Sequence, residues 1–162
     1  KELAFLTSEE KNFYASFAPP DFNTPVPCAQ GPRRMGTDKN ADVLWVGNSW
    51  GGNLARIDTR TLETSYVKLP GDQQPYHVAV DSQHRAWTNL WGADRVMRYD
   101  PGISQWTAFD LPTRGSEPRY ISLNERDGQI QVVLPYFRAR KVAVMTLRSE
   151  GEIRELIERA AR

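Results

Sequence analysis

Few side chains in this sequence could do acid–base or metal chemistry, because it has 2 histidines and 1 cysteine in 162 residues. His77 could act as a general base, and Glu117 could act as an acidic metal ligand. Both also have a structural interpretation. His77 would then be a hydrogen-bonded strand residue, and Glu117 would bind a neighbouring loop at the start of a strand. His84 lies in a turn and is interpreted as a solvated residue.

Arginines and aromatic residues suggest binding rather than catalysis. Arg33 and Arg119 each follow a proline and could hold a carboxylate or phosphate with two hydrogen bonds. The alternative is that they form salt bridges to residues such as Asp94 or Glu117. Large apolar side chains in loops often mark interaction sites. The residues predicted to share one binding face are Arg33, Trp50, Tyr76, His77, Trp91, Glu117, Arg119 and Tyr136.

An internal repeat would have to position these residues. Pro32, Pro75 and Pro118 follow one another at intervals of 43 residues, and Trp45 and Trp87 are 42 residues apart. A period of this length is typical of a β-propeller blade. Within each copy, short β-prone runs alternate with turn residues, which predicts four-stranded antiparallel units. Trp45 and Trp87 are expected to be core residues between blades.

The repeat predicts three blades, at 31–70, 71–112 and 113–158, followed by a short C-terminal tail. The predicted strands of the first blade lie near 34–38, 43–48, 53–58 and 64–69. Those of the second lie near 78–81, 86–88, 95–100 and 106–111. The third blade has candidates at 121–123, 130–134 and 141–147.

Two interpretations compete for the segment after Ser149. The repeat register favours a fourth strand at 151–157, and we prefer it. Alternatively, Ser149 and Glu152 form a capping box for a helix with Ile153, Leu156 and Ile157 on one face. Such a helix would dock a partner or cover the edge of the propeller.

Residues 1–30 do not match the repeat. They predict an irregular segment with a short helix from Thr7 to about Phe17 and a Pro-rich linker around 21–28. Cys28 is interpreted as inert, since there is no second cysteine for a disulfide. The sequence begins with Lys1 rather than methionine, so we interpret it as a processed chain or a piece of a longer one. A periplasmic or secreted location is favoured over a cytoplasmic one.

Charge and hydropathy exclude two classes of function. The 21 basic and 20 acidic residues are spread along the chain, whereas nucleic-acid-binding proteins concentrate Lys and Arg on one face. No apolar stretch approaches the roughly 18–20 residues of a membrane-spanning helix. We therefore expect no nucleic-acid partner and no membrane span.

The repeat resembles that of the streptogramin B lyase (virginiamycin B lyase) family of seven-bladed β-propellers. The resemblance rests on the motifs at 74–78, 87–96 and 109–112 and extends over about 31–157. It implies an all-β fold in which this chain is a partial propeller of about three four-stranded antiparallel blades. The other blades of a larger, seven-bladed ring would come from further sequence or from other chains.

The resemblance also implies a mechanism. In the family, a histidine just after the blade-opening proline acts as general base, and acidic and histidine side chains hold the Mg²⁺ that assists ester-ring opening by elimination. Here the matching positions are Arg33, Tyr76 and Arg119, while Leu90 and the stretch around Asn48 replace the acidic residue. His77 is displaced from the catalytic position by one residue, which turns it to the other strand face.

These departures favour a non-catalytic binding or assembly module without a metal site. Its partners would be additional blades, a protein, or an anionic or aromatic small molecule. The alternative is a Mg²⁺-dependent carbon–oxygen lyase whose catalytic residues lie partly outside this chain.

Overall fold

The structure is a computed structural model that describes residues 30–162. The predicted short helix and linker and Cys28 lie outside the described residues. The strands are β1 Pro32–Thr37, β2 Val43–Asn48, β3 Asn53–Asp58, β4 Thr64–Lys68, β5 Pro75–Val80, β6 Ala86–Leu90, β7 Arg95–Asp100, β8 Gln105–Asp110, β9 Ser122–Arg126, β10 Gln129–Tyr136 and β11 Lys141–Thr146. Among the described residues one helix, α1, runs from Glu150 to Ala160.

The strands form three antiparallel sheets, each made of consecutive strands. Blade 1 has the order β1-β2-β3-β4, blade 2 has β5-β6-β7-β8, and blade 3 has β9-β10-β11. This meander of sheets confirms the predicted all-β, partial-propeller fold, and β2, β3 and β7 have the predicted bounds. No helix among residues 30–162 is long and apolar enough to cross a bilayer.

The core lies between neighbouring blades, because strand side chains alternate between the two sheet faces. Trp45 and Tyr99 meet edge to face between blades 1 and 2, with ring centroids 5.9 Å apart. Trp87 stacks on Phe109 at 5.4 Å in the layer between blades 2 and 3. Trp45 and Trp87 are 1% and 0% exposed, as expected for core residues between blades.

Blades 1 and 2 approach closely at two glycines. A Cβ atom on Gly36 would lie 2.2 Å from the Val78 carbonyl oxygen, and one on Gly47 would lie 3.0 Å from the Tyr76 carbonyl oxygen. Only the absence of a side chain lets β1 and β2 lie this near to β5. The same contact brings Arg33, at the start of β1, beside Tyr76, at the start of β5.

The preferred interpretation of the segment 151–157 as a fourth strand is wrong: blade 3 has three strands, and this segment lies in α1. Ser149 and Glu152 form the complete capping box that starts the helix. The apolar residues Ile153, Leu156 and Ile157 share one helix face, whereas a strand would divide them between its two faces. Helical spacing and the cap therefore outweigh the repeat register.

Candidate functional site

The loops at one end of the blades bring Arg33 against three aromatic rings. Its guanidinium carbon lies 5.0 Å from the centroid of Trp50, 5.4 Å from Trp91 and 5.9 Å from Tyr76. These are cation–π distances. We call Arg33, Trp50, Tyr76 and Trp91 the Arg33 cluster. Among residues 30–162, no carboxylate pairs with Arg33.

Backbone geometry holds the Arg33 cluster in place. The pairing of β1 with β2 is irregular between Pro32 and Met35. Every residue of β1 except Gly36 is exposed, so Arg33 and Arg34 are both exposed although they are consecutive. The backbone N–H of Trp50 donates to the Gln30 carbonyl at 3.1 Å, and that of Trp91 donates to the Gln74 carbonyl at 3.0 Å. These bonds join each tryptophan loop to the segment just before an inner strand.

The tryptophans and the tyrosine contact one another across the boundary between blades 1 and 2. The ring centroids of Trp50 and Trp91 are 6.1 Å apart, and those of Tyr76 and Trp91 are 5.9 Å apart. Trp50 remains 46% exposed. The result is an aromatic surface that is open to solvent and carries Arg33, with Arg34 next to Tyr76 and Arg119 next to Trp91.

Glu117 adjoins this surface as an anion surrounded by donors. The indole Nε1 of Trp91 donates to its carboxylate at 2.9 Å, and the guanidinium groups of Arg119 and Arg138 both bind it. The Trp91 hydrogen bond, followed by those from the two arginines, lowers the pKa of Glu117 to about 2. The side chain is 11% exposed. Glu117 is therefore an engaged, ionised carboxylate, as the salt-bridge alternative for Arg119 expected.

A surface pocket of about 410 Å³ opens beside Trp91. Its charged lining residues are Asp94, Glu117 and Arg138. Burial opposes ionisation of Asp94, but hydrogen bonds from Ser116 and Gly115 outweigh it and hold the pKa of Asp94 below its usual value of 3.8. The pocket is large enough for a small ligand, and both of its carboxylates already accept hydrogen bonds.

His77 makes a structural contact with blade 3. Its Nδ1 accepts a hydrogen bond from the Ile121 N–H at 3.1 Å, and its ring lies 4.3 Å from the ring of Tyr120. Burial, and then the positive charge of Arg34, hold the pKa of His77 below its usual value of 6.5. The geometry thus assigns His77 to the boundary between blades 2 and 3, as in the structural interpretation.

Tyr136 does not lie on the exposed face where the sequence placed it. It is 4% exposed and ends β10, because its side chain belongs to the buried set of that alternating strand. The next residue, Phe137, is 61% exposed and lies 4.0 Å from the Arg119 guanidinium carbon. Arg34, which the sequence did not single out, also lies near aromatic rings, 5.9 Å from that of Tyr76 and 5.8 Å from that of Tyr120.

His77 should give the stability of the protein a pH dependence near neutrality. Its pKa is lower in the folded than in the unfolded state, so the unfolded chain binds more protons as the pH falls through about 6.5. We expect the free energy of unfolding to be level above about pH 7 and to decrease below about 6.5. Urea denaturation at several pH values measures this. His77→Gln should remove the decrease, and His84→Gln is the matched control. If the His77→Gln variant keeps the same pH dependence of stability, another titratable group causes it.

The described residues do not fit a Mg²⁺ site. Glu117 is the acidic residue that the sequence offered, and two guanidinium groups next to its carboxylate would repel a dication. The Nδ1 atom of His77 already accepts a hydrogen bond. Within residues 30–162, no three His, Cys, Asp or Glu side chains come together in a metal-binding arrangement.

Comparison with known proteins finds similar folds but no similar sequence. No protein-family model matches the sequence, and no curated protein sequence matches it. The chain is similar to virginiamycin B lyase from Staphylococcus aureus, with a TM-score of 0.62 and 14% identity over 80% of this chain and 44% of the lyase chain. A streptogramin B lyase structure gives a TM-score of 0.57 and 17% identity over 80% of this chain and 45% of that chain.

The same fold also matches a chain from a nidogen/laminin complex. The TM-score is 0.53 with 13% identity, over 71% of this chain and 48% of that chain. The chain thus spans less than half the length of these three matched chains. At such low sequence identities the similarity concerns the fold alone. Residues 30–162 therefore have the fold of part of a streptogramin B lyase-like β-propeller.

Proposed function

We propose that this chain is a non-catalytic propeller module whose loop face binds an anionic ligand. The observation that carries the proposal is the Arg33 guanidinium, which lies on three aromatic rings and has no carboxylate partner among residues 30–162. A guanidinium group on an aromatic surface keeps its N–H edge free for a carboxylate or phosphate. The guanidinium group of Arg33 is therefore available to bind an anion.

The balance of charge around the Arg33 cluster supports an anionic ligand. Arg34 and Arg119 also lie over aromatic rings, and Arg119 and Arg138 share a single carboxylate, that of Glu117. Four arginines, Arg33, Arg34, Arg119 and Arg138, thus lie at or next to the cluster, and two of them pair with Glu117. A net positive field over an apolar surface attracts anions and is only partly screened by salt.

The state of the acidic and histidine residues argues against lyase chemistry in this part of the chain. A general base needs a free acceptor atom within reach of substrate. The Nδ1 of His77 is taken by the Ile121 backbone, and the Glu117 carboxylate accepts hydrogen bonds from three side chains. The Mg²⁺-dependent lyase remains a second candidate, favoured by the fold shared with named lyases.

The coverage of the matched chains supports further blades as partners for this module. The three blades correspond to less than half of either lyase chain. Further blades, from other sequence or from other chains, would complete a ring around the face that carries Arg33. We include assembly with such blades in the proposed function.

Titration with an anionic probe tests the proposal. Tetraglutamate and its neutral counterpart, tetraglutamine, are compared by tryptophan fluorescence, because Trp50 and Trp91 form the proposed site. We expect saturable binding of tetraglutamate that weakens as the salt concentration rises, and little binding of tetraglutamine. Equal binding of the two peptides, or no binding of either, would contradict an anion site.

Magnesium distinguishes the two candidate functions. An ion that binds the folded state raises the melting temperature in proportion to the logarithm of its concentration. For the binding module we expect no change in melting temperature between buffers with MgCl₂ and with NaCl at equal ionic strength. A rise with MgCl₂ alone would favour the lyase.

A further inference from the structure

The outer edge of blade 3 differs from the outer edges of the other two blades. Blades 1 and 2 each end in a fourth strand, β4 or β8, whereas blade 3 ends in its third strand, β11. The chain continues into α1, which buries none of its residues. Among the described strands β11 pairs only with β10, and its Val142 and Val144 are 68% and 60% exposed, so α1 does not cover this strand.

Blade 2 shows what a fourth strand contributes. Arg95, the first residue of β7, forms a 2.6 Å ion pair with Asp110 at the end of β8. Tyr99 of β7 packs against Trp106 of β8 with ring centroids 5.0 Å apart, and Tyr99 is 9% exposed. The fourth strand thus supplies an acidic partner for the first residue of the third strand and an apolar cover for its later residues.

In blade 3, the residues at the corresponding positions of the third strand lack these partners among the described residues. Lys141, the first residue of β11, is exposed, and no carboxylate pairs with it in the part of the chain that the structure describes. Ala143 and Met145 pack on the core between blades 2 and 3 but are only partly buried. An acidic residue and an apolar cover are the features that the edge lacks.

The backbone of β11 can accept a further strand. The Leu147 N–H donates to the Ile130 carbonyl of β10 at 3.2 Å. Because hydrogen-bonding groups alternate between the two sides of a strand, the odd-numbered residues from Lys141 to Met145 pair with β10. The N–H and C=O groups of Val142, Val144 and Thr146 therefore point to the open edge, where an added strand would bind them.

We propose that β11 binds an antiparallel strand of another protein chain. That strand would carry apolar residues opposite Val142 to Met145 and an acidic residue opposite Lys141. The segment 105–110 of this chain, which pairs with β7 in the same way, is a template for its chemistry. The resulting four-stranded blade would match blades 1 and 2.

A peptide with the sequence of residues 104–111 is the probe, and it is added to the full chain. Binding is followed by the amide NMR signals of β11, up to about 1 mM peptide, with a scrambled peptide as control. We expect saturable shifts at Val142, Val144 and Thr146. Val144→Pro removes an N–H that points to the open edge and should weaken binding roughly tenfold, while Val144→Thr keeps the N–H and should bind normally. Absence of binding to the natural chain would overturn the proposal.

A charge exchange tests the register without relying on proline. Lys141→Glu should weaken binding of the peptide about 2- to 5-fold, and replacing the aspartate of the peptide with lysine should restore it. Peptide binding that is unchanged by both charge substitutions would overturn the proposed register. Self-association of the chain that Val144→Pro abolishes would show that a second copy, rather than another protein, occupies the edge.

Discussion

Replacing Asp81 with alanine is expected to lower the free energy of unfolding by about 3–5 kcal/mol, because the change breaks a buried charge network. Asp81 is 2% exposed, in the turn between β5 and β6. Its Oδ2 accepts hydrogen bonds from Arg85 Nε at 2.7 Å and Trp87 Nε1 at 2.8 Å. Its Oδ1 accepts the backbone N–H groups of Gln83 and Arg85, both at 3.0 Å.

The cost arises from the donors that Asp81 would leave behind. The Arg85 side chain is 14% exposed, and Trp87 is fully buried, so water cannot replace the lost acceptors. Urea denaturation followed by circular dichroism gives the free energy of unfolding. Asp81→Asn keeps an oxygen acceptor in place and should cost less than Asp81→Ala.

Asp38 offers a matched control, because it occupies the same turn one repeat earlier. It accepts the Asn40 N–H at 2.9 Å and contacts His84 Nδ1 at 2.7 Å, and the His84 side chain is half exposed. Water can hydrate His84 after the change, so Asp38→Ala should cost less than Asp81→Ala. Equal losses in the two variants, or a loss below about 1 kcal/mol at Asp81, would mean that the network contributes little.

The repeat in the sequence was sufficient to predict the blades, because its period reports a structural unit. Trp45 and Trp87 recur at equivalent strand positions, and both are buried between blades. The prediction failed at 151–157, where the repeat has lost its pattern: apolar residues three and four apart fit a helix, and a capping box starts it. In this segment the helical spacing and the capping box predict the structure better than the weak repeat does.

The candidate site was predictable to the extent that it depends on strand ends and loops. Arg33, Trp50, Tyr76 and Trp91 are in contact, and Glu117 joins them through Trp91. The sequence could not reveal that nearly all of β1 is exposed, Arg34 as well as Arg33. Nor could it reveal that strand alternation buries Tyr136 and exposes Phe137 in its place.

The structure also separates two arginines that the sequence treated alike. Arg33 and Arg119 both follow a blade-opening proline, and either could have bound an anion. Arg119 is paired with Glu117, whose pKa is lowered to about 2, so this carboxylate stays charged across the neutral range. An external anion at Arg119 would compete with an anion that is already bound. Arg33 has no such competitor among the described residues.

Arg33→Ala should therefore weaken binding of tetraglutamate by about 1.5–3 kcal/mol, the range for a hydrogen bond to a charged group. This corresponds to a roughly 10- to 150-fold higher Kd. The fold should be retained, because the exposed Arg33 side chain lies on ring faces and forms no ion pair within residues 30–162. Fluorescence titration measures the Kd, and urea denaturation checks that stability is unchanged.

Two further variants separate charge from geometry. Arg33→Lys keeps the positive charge but loses the planar group that both stacks on the rings and binds a carboxylate with two N–H groups, so it should recover only part of the affinity. Arg119→Ala, the matched control, should change the affinity less than Arg33→Ala, because the guanidinium of Arg119 is already engaged by Glu117. If Arg119→Ala causes the larger loss, the anion binds beside Glu117 and the pocket next to Trp91, rather than at the Arg33 cluster, is the binding site.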